Sequence, residues 1–169
     1  MARILIADDN EADRLVLHAF LERTGHEIIE AQDGEGALRE YLRARMRAHP
    51  IQVVITDLQM PGVHGLHIIM LLRDLSPRPA IVAVSGTGGE QLEMAHAIGA
   101  DAMLTKPVDP TELLDAVDQA LARAPDYEPA DGATEPSSVE LDPEPVPVEE
   151  AAPDTAHQGA KLGGLELEP

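Results

Sequence analysis

Short apolar runs alternate along this chain with longer segments that are apolar on one face only. The runs lie at 3–7 (RILIA), 27–31 (EIIEA), 52–56 (QVVIT), 80–85 (AIVAVS) and 102–106 (AMLTK). Each has the length of a strand, and Val53, Val54 and Ile55 suit a strand buried on both faces. Between them, apolar residues return at helical spacing: Val16, Leu17, Phe20 and Leu21, then Ala37, Leu38, Tyr41 and Leu42, and finally Leu113, Leu114, Val117 and Leu121. The last helix opens with DPTE, in which Asp109 can cap, Pro110 suits the first turn and Glu112 completes a capping-box-like pair. A fourth helix within residues 90–98 has a thinner face of Leu92, Met94, Ala95 and Ile98 and follows the glycine-rich SGTGG. Strands alternating with helices predict an α/β fold on a parallel sheet with right-handed crossovers. No internal repeat interrupts the pattern.

Composition divides the 169 residues in two near Arg123 to Pro125. Residues 1–124 hold nearly all the large aliphatic side chains and carry a net charge of −8; residues 125–169 carry −11, with Lys161 as their single base. Eight of the 14 prolines also fall in that second part, in stretches such as LDPEPVPVEE. Few apolar side chains there could offset the entropy of ordering the backbone, so an acidic, proline-rich, disordered tail is expected over 125–169 beside a domain over 1–124. The 45 tail residues are too polar to fold as an output domain. No cysteine is present for a disulfide or thiolate metal site, and no apolar stretch reads as a signal peptide or membrane span. A cytoplasmic protein is expected. An acidic chain without a basic stripe argues against direct nucleic-acid binding.

Polar residues cluster where the strands end. Asp8 and Asp9 follow the first, Asp57 the third, Ser85 the fourth and Lys106 the fifth. Each alone has a structural explanation: a carboxylate at a helix N-terminus, a turn residue, a hydroxyl on nearby backbone, a surface charge. Together they fall on one edge, because ligands of an open parallel sheet gather beyond the carboxyl ends of its strands. Three converging carboxylates repel one another unless a cation joins them, and Mg²⁺ accepts carboxylates, a backbone carbonyl and waters. Asp57 could then attack a phosphoryl group, with Lys106 and Ser85 meeting its oxygens. The buried run before Asp57 would hold this nucleophile at the sheet edge, and MPG would turn the chain away from it.

ADDN, ITDLQMPGVHG, AVSG and LTKPVD, in this order and at these separations, resemble the receiver domain of two-component response regulators, the family of the chemotaxis response regulator. The likeness covers residues 2–123 and implies a flavodoxin-like (βα)5 sandwich, a doubly wound five-stranded parallel sheet of order 2-1-3-4-5. It implies Asp57 as phosphoacceptor; Asp9, Asp57 and the Gln59 backbone carbonyl as direct Mg²⁺ ligands; and Asp8 acting largely through water. Ser85 and Lys106 would bind the phosphoryl group, and the Lys106–Pro107 bond would be cis. Three positions depart from the family pattern. Met103 stands where a Tyr or Phe usually reads out the state of the site, Gly86 replaces an alanine after Ser85, and His64 replaces an Asp before glycine. Ser85, Gly86 and Met103 are the candidate switch residues.

With residues 125–169 too polar to fold as an output domain, a stand-alone receiver that signals by protein contact is expected, not an enzyme toward external substrates. Its partners would be a sensor histidine kinase or histidine phosphotransfer protein and a downstream protein effector, read by the face of helix four, strand five and helix five. It would be a monomer or a phosphorylation-dependent dimer. A rival reading keeps the fold and drops the chemistry: a phosphorylation-independent scaffold that binds through its acidic tail. A phosphohydrolase with an aspartyl-phosphate intermediate would need a second Asp two residues after the nucleophile, where Gln59 stands. His64 and His67 could share a metal but lack further ligands nearby, GTGGE lacks the Lys-Ser/Thr pair of a phosphate loop, and the methionines read as core filler.

Overall fold

A computed structural model describes residues 1–87 and 89–123, the last of these in its backbone only. The tail expected over 125–169 lies outside the described residues. Five strands and five helices alternate: β1 Arg3–Ala7, α1 Glu11–Glu22, β2 Glu27–Ala31, α2 Gly34–Met46, β3 Val53–Asp57, α3 Gly65–Arg73, β4 Ala80–Ser85, α4 Gly89–Ile98, β5 Ala102–Thr105 and α5 Pro110–Arg123. All strand pairs are parallel, and the sheet order is β2-β1-β3-β4-β5, as the resemblance implies.

Alternation along the strands sorts the side chains into two cores. Leu5, Val54, Ile81 and Ala83 point toward α2, α3 and α4, where Tyr41, Ile68, Leu72 and Ala95 meet them. Ile4, Ile6, Val53, Ile55, Val82 and Val84 point the other way and pack with Leu17 and Leu21 of α1 and Leu113 and Val117 of α5. Both faces of the sheet are therefore covered, which is why β3 and β4 read as continuous apolar runs. Asp109 caps α5 as its sequence predicts, accepting the N–H groups of Thr111 at 2.8 Å and Glu112 at 3.2 Å.

Some expected core positions face outward. Val16, Leu42 and Met94 are exposed, because the sheet covers a narrower arc of each helix than its apolar stripe spans. The buried line is Arg14, Leu17 and Leu21 on α1 and Gly34, Ala37, Tyr41 and Ala44 on α2. Val16 and Leu42 each sit one residue off that line. The methionines correct a second expectation. Met60 alone among the six is buried; Met1, Met46, Met70, Met94 and Met103 are exposed. Met60, Met70 and Met94 line a largely apolar groove of about 730 Å³ together with residues of α3 and α4. Among the described residues, no helix is long and apolar enough to cross a membrane.

Candidate functional site

β1 and β3 lie side by side at the centre of the sheet and end at the same edge, with Ala7 opposite Thr56. The residues that follow must therefore meet. Asp57 is the last residue of β3, one position further into the strand than the run QVVIT predicted, and pairs with Val84 of β4. Its Oδ1 accepts the Gln59 N–H at 2.9 Å, and the chain then turns through Gly62, whose φ of +75° favours glycine. Gly65 begins α3 directly beneath this turn. A Cβ there would stand 2.1 Å from the Asp57 carbonyl oxygen, so only glycine lets α3 start so close to the strand end.

Asp8 is held as firmly. It is 1% exposed, its Oδ1 accepts the Asn10 N–H at 2.9 Å, and its backbone carbonyl accepts Nη1 of the buried Arg14 at 2.8 Å. Asn10 in turn caps α1 by accepting the Ala12 N–H. One carboxylate oxygen from each of Asp8, Asp9 and Asp57 lies within 4.8 Å of the other two; Asp8 and Asp57 are buried and Asp9 is exposed. Three hard oxygen donors at this spacing fit a divalent cation such as Mg²⁺, with the open side of Asp9 leaving room for water.

The ammonium of Lys106 reaches into this cluster from the end of β5. It donates to Oδ2 of Asp57 at 2.6 Å, of Asp8 at 2.7 Å and of Asp13 at 2.8 Å. Burial works against the lysine charge, but the hydrogen bonds to Asp13, Asp57 and Asp8 together outweigh it and raise Lys106 above the ordinary lysine range. For Asp8 burial is the largest influence and raises its carboxyl above the usual value, against the pull of Lys106 and the Asn10 N–H. The peptide bond between Lys106 and Pro107 is cis, as the resemblance implies, and so is that between Ser76 and Pro77.

Asp8, Asp9, Asp57 and Lys106 thus come together as their strand-end positions predicted. Ser85 is at the same edge and fully buried, but its hydroxyl donates to the Thr87 carbonyl at 3.0 Å and accepts the Thr87 N–H at 3.3 Å. Gln59 directs its side-chain amide to the Thr87 hydroxyl at 2.8 Å, which links the turn after β3 to the loop after β4. Gly86 lies over the lysine stem, with the Lys106 Cδ 3.9 Å from where its Cβ would be. Met103, in the middle of β5, is 39% exposed. His64 and His67 have ring centroids 6.3 Å apart, and among the described residues they join no cluster of three metal-ligating side chains. Asp13 is the site residue that the sequence did not disclose. It sits in the first turn of α1, where an acidic residue is commonplace.

Comparison with known proteins agrees with this arrangement. The model of the response regulator receiver domain matches residues 4–118. Protein PilH of Pseudomonas aeruginosa is 33% identical over 125 residues, 72% of this chain and 99% of its own length. The response regulator GtcR of Aneurinibacillus migulanus is 34% identical over 121 residues, and the sensory/regulatory protein RpfC of Xanthomonas campestris is 34% identical over 120. The match spans about half of GtcR (48%) and 16% of RpfC. Among solved structures, a response regulator receiver domain protein from Clostridium thermocellum is 30% identical with a TM-score of 0.65, covering 73% of this chain and 96% of its own. A chemotaxis response regulator of Vibrio cholerae is 29% identical with a TM-score of 0.63, covering 72% and 99%. With the family model spanning most of the chain, the sheet order and the acidic strand ends agreeing, this chain belongs to the receiver domains of response regulators.

Proposed function

We propose that Asp57 accepts a phosphoryl group from a phosphohistidine on a sensor kinase or phosphotransfer protein, and that the chain signals by protein contact. The observation that carries this reading is the meeting of Asp57 with Asp8, Asp9 and Lys106 at the end of a rigid central strand. In the transfer, a carboxylate oxygen of Asp57 bonds to phosphorus while the phosphorus–nitrogen bond breaks and the imidazole leaves with its electron pair. Asp8, Asp9, Asp57 and the Gln59 carbonyl would hold Mg²⁺, which when bound neutralises charge on the phosphoryl oxygens. Lys106 supplies the fixed cation. Its stem is held under Gly86 and its ammonium already lies 2.6 Å from the acceptor oxygen, so it can follow the charge onto the phosphoryl group.

A switch follows from Ser85. Its hydroxyl is bound to Thr87 and would have to leave that bond to donate to a phosphoryl oxygen, shifting the loop into α4. Gly86 gives the loop freedom, and Met103 on β5 can repack beside it in place of an aromatic ring. Residues 1–124 are the phosphorylatable unit on this reading, and its setting is the cytoplasm, where phosphohistidine donors are made. The test is intact-protein mass spectrometry after incubation with Mg²⁺ and acetyl phosphate or phosphoramidate, beside Asp57→Asn and a chelator control. One metal-dependent adduct that is lost in Asp57→Asn supports the reading. No adduct from either donor, with the circular dichroism of a folded chain, overturns it in favour of a phosphorylation-independent scaffold.

A further inference from the structure

All three N–H donors of the Lys106 ammonium are taken by carboxylates, and one of these, Asp13, stands outside the group of Asp8, Asp9 and Asp57 that can share a cation. The three claims on the lysine are therefore unequal. A cation at the cluster would draw charge from Asp8 and Asp57 and loosen their hold on the lysine, while the Asp13 contact at 2.8 Å would persist. Asp13 is also the outer partner: its side chain is 39% exposed, against 1% for Asp8 and 7% for Asp57. It projects from the first turn of α1 beside a small cavity of about 140 Å³ lined by Asp13, Val16, Leu17, Lys106, Pro107 and Val108. That space gives the carboxylate somewhere to swing when the lysine leaves it.

We propose that Asp13 is a positioning residue that competes with the phosphoryl group for Lys106 and so weakens the hold of the site on anions. The inference rests on the phosphoacceptor reading of Asp57. With a cation drawing on Asp8 and Asp57, Asp13 is the partner that still holds Lys106, and an approaching phosphoryl oxygen must compete with it for the ammonium. The Asp13 charge also repels the incoming dianion across a short, partly desolvated distance. Both effects act on anion affinity. A carboxylate that served only to favour the start of α1 would affect helix stability and leave that affinity alone.

The experiment compares the wild-type chain with Asp13→Asn and Asp13→Ala. It follows the rate of adduct formation by intact-protein mass spectrometry across a range of acetyl phosphate at fixed Mg²⁺, in low and high salt, with beryllium trifluoride binding measured by calorimetry. Competition predicts that both variants lower the half-saturating acetyl phosphate concentration by about fivefold and bind beryllium trifluoride more tightly by a similar factor, with the gap closing at high salt. The effect falls on this affinity more than on the maximal rate. An adduct on wild type with the same or a higher half-saturating concentration in Asp13→Asn overturns the inference and leaves Asp57 as acceptor. A wild-type chain that takes up no phosphoryl group overturns both.

Discussion

Asp8 is a carboxyl buried at the end of β1, and the chief effect of that burial is to raise it above its ordinary value of 3.8. The folded protein then keeps this proton to higher pH than the unfolded chain does. The stabilising contribution of the protonated form is present below 3.8 and is lost as pH rises through the folded value. The ionised form of Asp8 therefore works against folding of the metal-free protein. Asp8→Asn is expected to raise the metal-free Tm at pH 7, by a margin that shrinks as pH falls through the folded Asp8 value, while weakening Mg²⁺ binding by about tenfold. Calorimetry with and without Mg²⁺ checks both, and a lowered metal-free Tm would refute the first. Lys106 has the opposite sign. Its folded value is raised, so its contribution is complete below 10.5 and disappears only in strong alkali. Lys106→Met leaves Asp8 and Asp57 buried without their cation, and urea denaturation at pH 7 should show a loss of about 2 kcal/mol that Mg²⁺ partly restores. Asp8, Asp9, Asp57 and Lys106 were legible because a residue after a parallel strand has one place to go. Asp13 was not, because its position on α1 already has a sufficient reason in the helix dipole, and the partner that gives it a second role lies 93 residues away. Nor could the sequence show that the Ser85 hydroxyl is turned to Thr87.

Elements were read more easily than their edges. β2 and β4 match their apolar runs residue for residue, as does β1, whereas β3 is displaced by one position to include Asp57 and β5 stops at Thr105. The displaced boundary follows from pairing: the Asp57 backbone continues the ladder against Val84 although its side chain belongs to the crevice. α1 and α2 show what periodicity omits. It locates a stripe but not the arc the sheet will cover, and so Val16 and Leu42 were placed inside. Two glycine and cap positions now make separable predictions. Gly65→Ala drives a Cβ into the Asp57 carbonyl and should destabilise the domain by about 3 kcal/mol while slowing Asp57 phosphorylation, because α3 and the strand end cannot both keep their places. Asp109→Ala removes an α5 cap whose hydrogen bonds run to Thr111 and Glu112 and not to the site carboxylates, and should lose about 1 kcal/mol with no change in the adduct rate. Urea titrations paired with acetyl phosphate time courses distinguish them, and an equal loss of phosphorylation in both would deny Gly65 its specific role.

At the scale of the whole chain, stability and charge are distributed differently. Among the described residues, the buried side chains form two clusters that use both faces of the sheet and draw only on residues 4–120. More than half of the net charge of −19 falls beyond residue 124. A chain ending at residue 124 should therefore keep the Tm of the full chain within about 2 °C, since neither cluster loses a member. Charge predicts more than survival of the fold. Acetyl phosphate and a phosphohistidine are both anionic, and a segment carrying −11 would oppose their approach wherever it came within about 10 Å of the site at 0.1 M salt. The shortened chain should accept phosphate at least as fast as the full chain, with the largest difference at low ionic strength and none at 1 M salt. Adduct formation measured on both chains across that salt range decides between the two readings of the acidic segment. A shortened chain that is phosphorylated normally yet no longer retains a protein that the full chain binds would assign that contact to residues 125–169 and the chemistry to Asp57. A slower shortened chain would mean that the segment assists transfer, and the charge argument would fail.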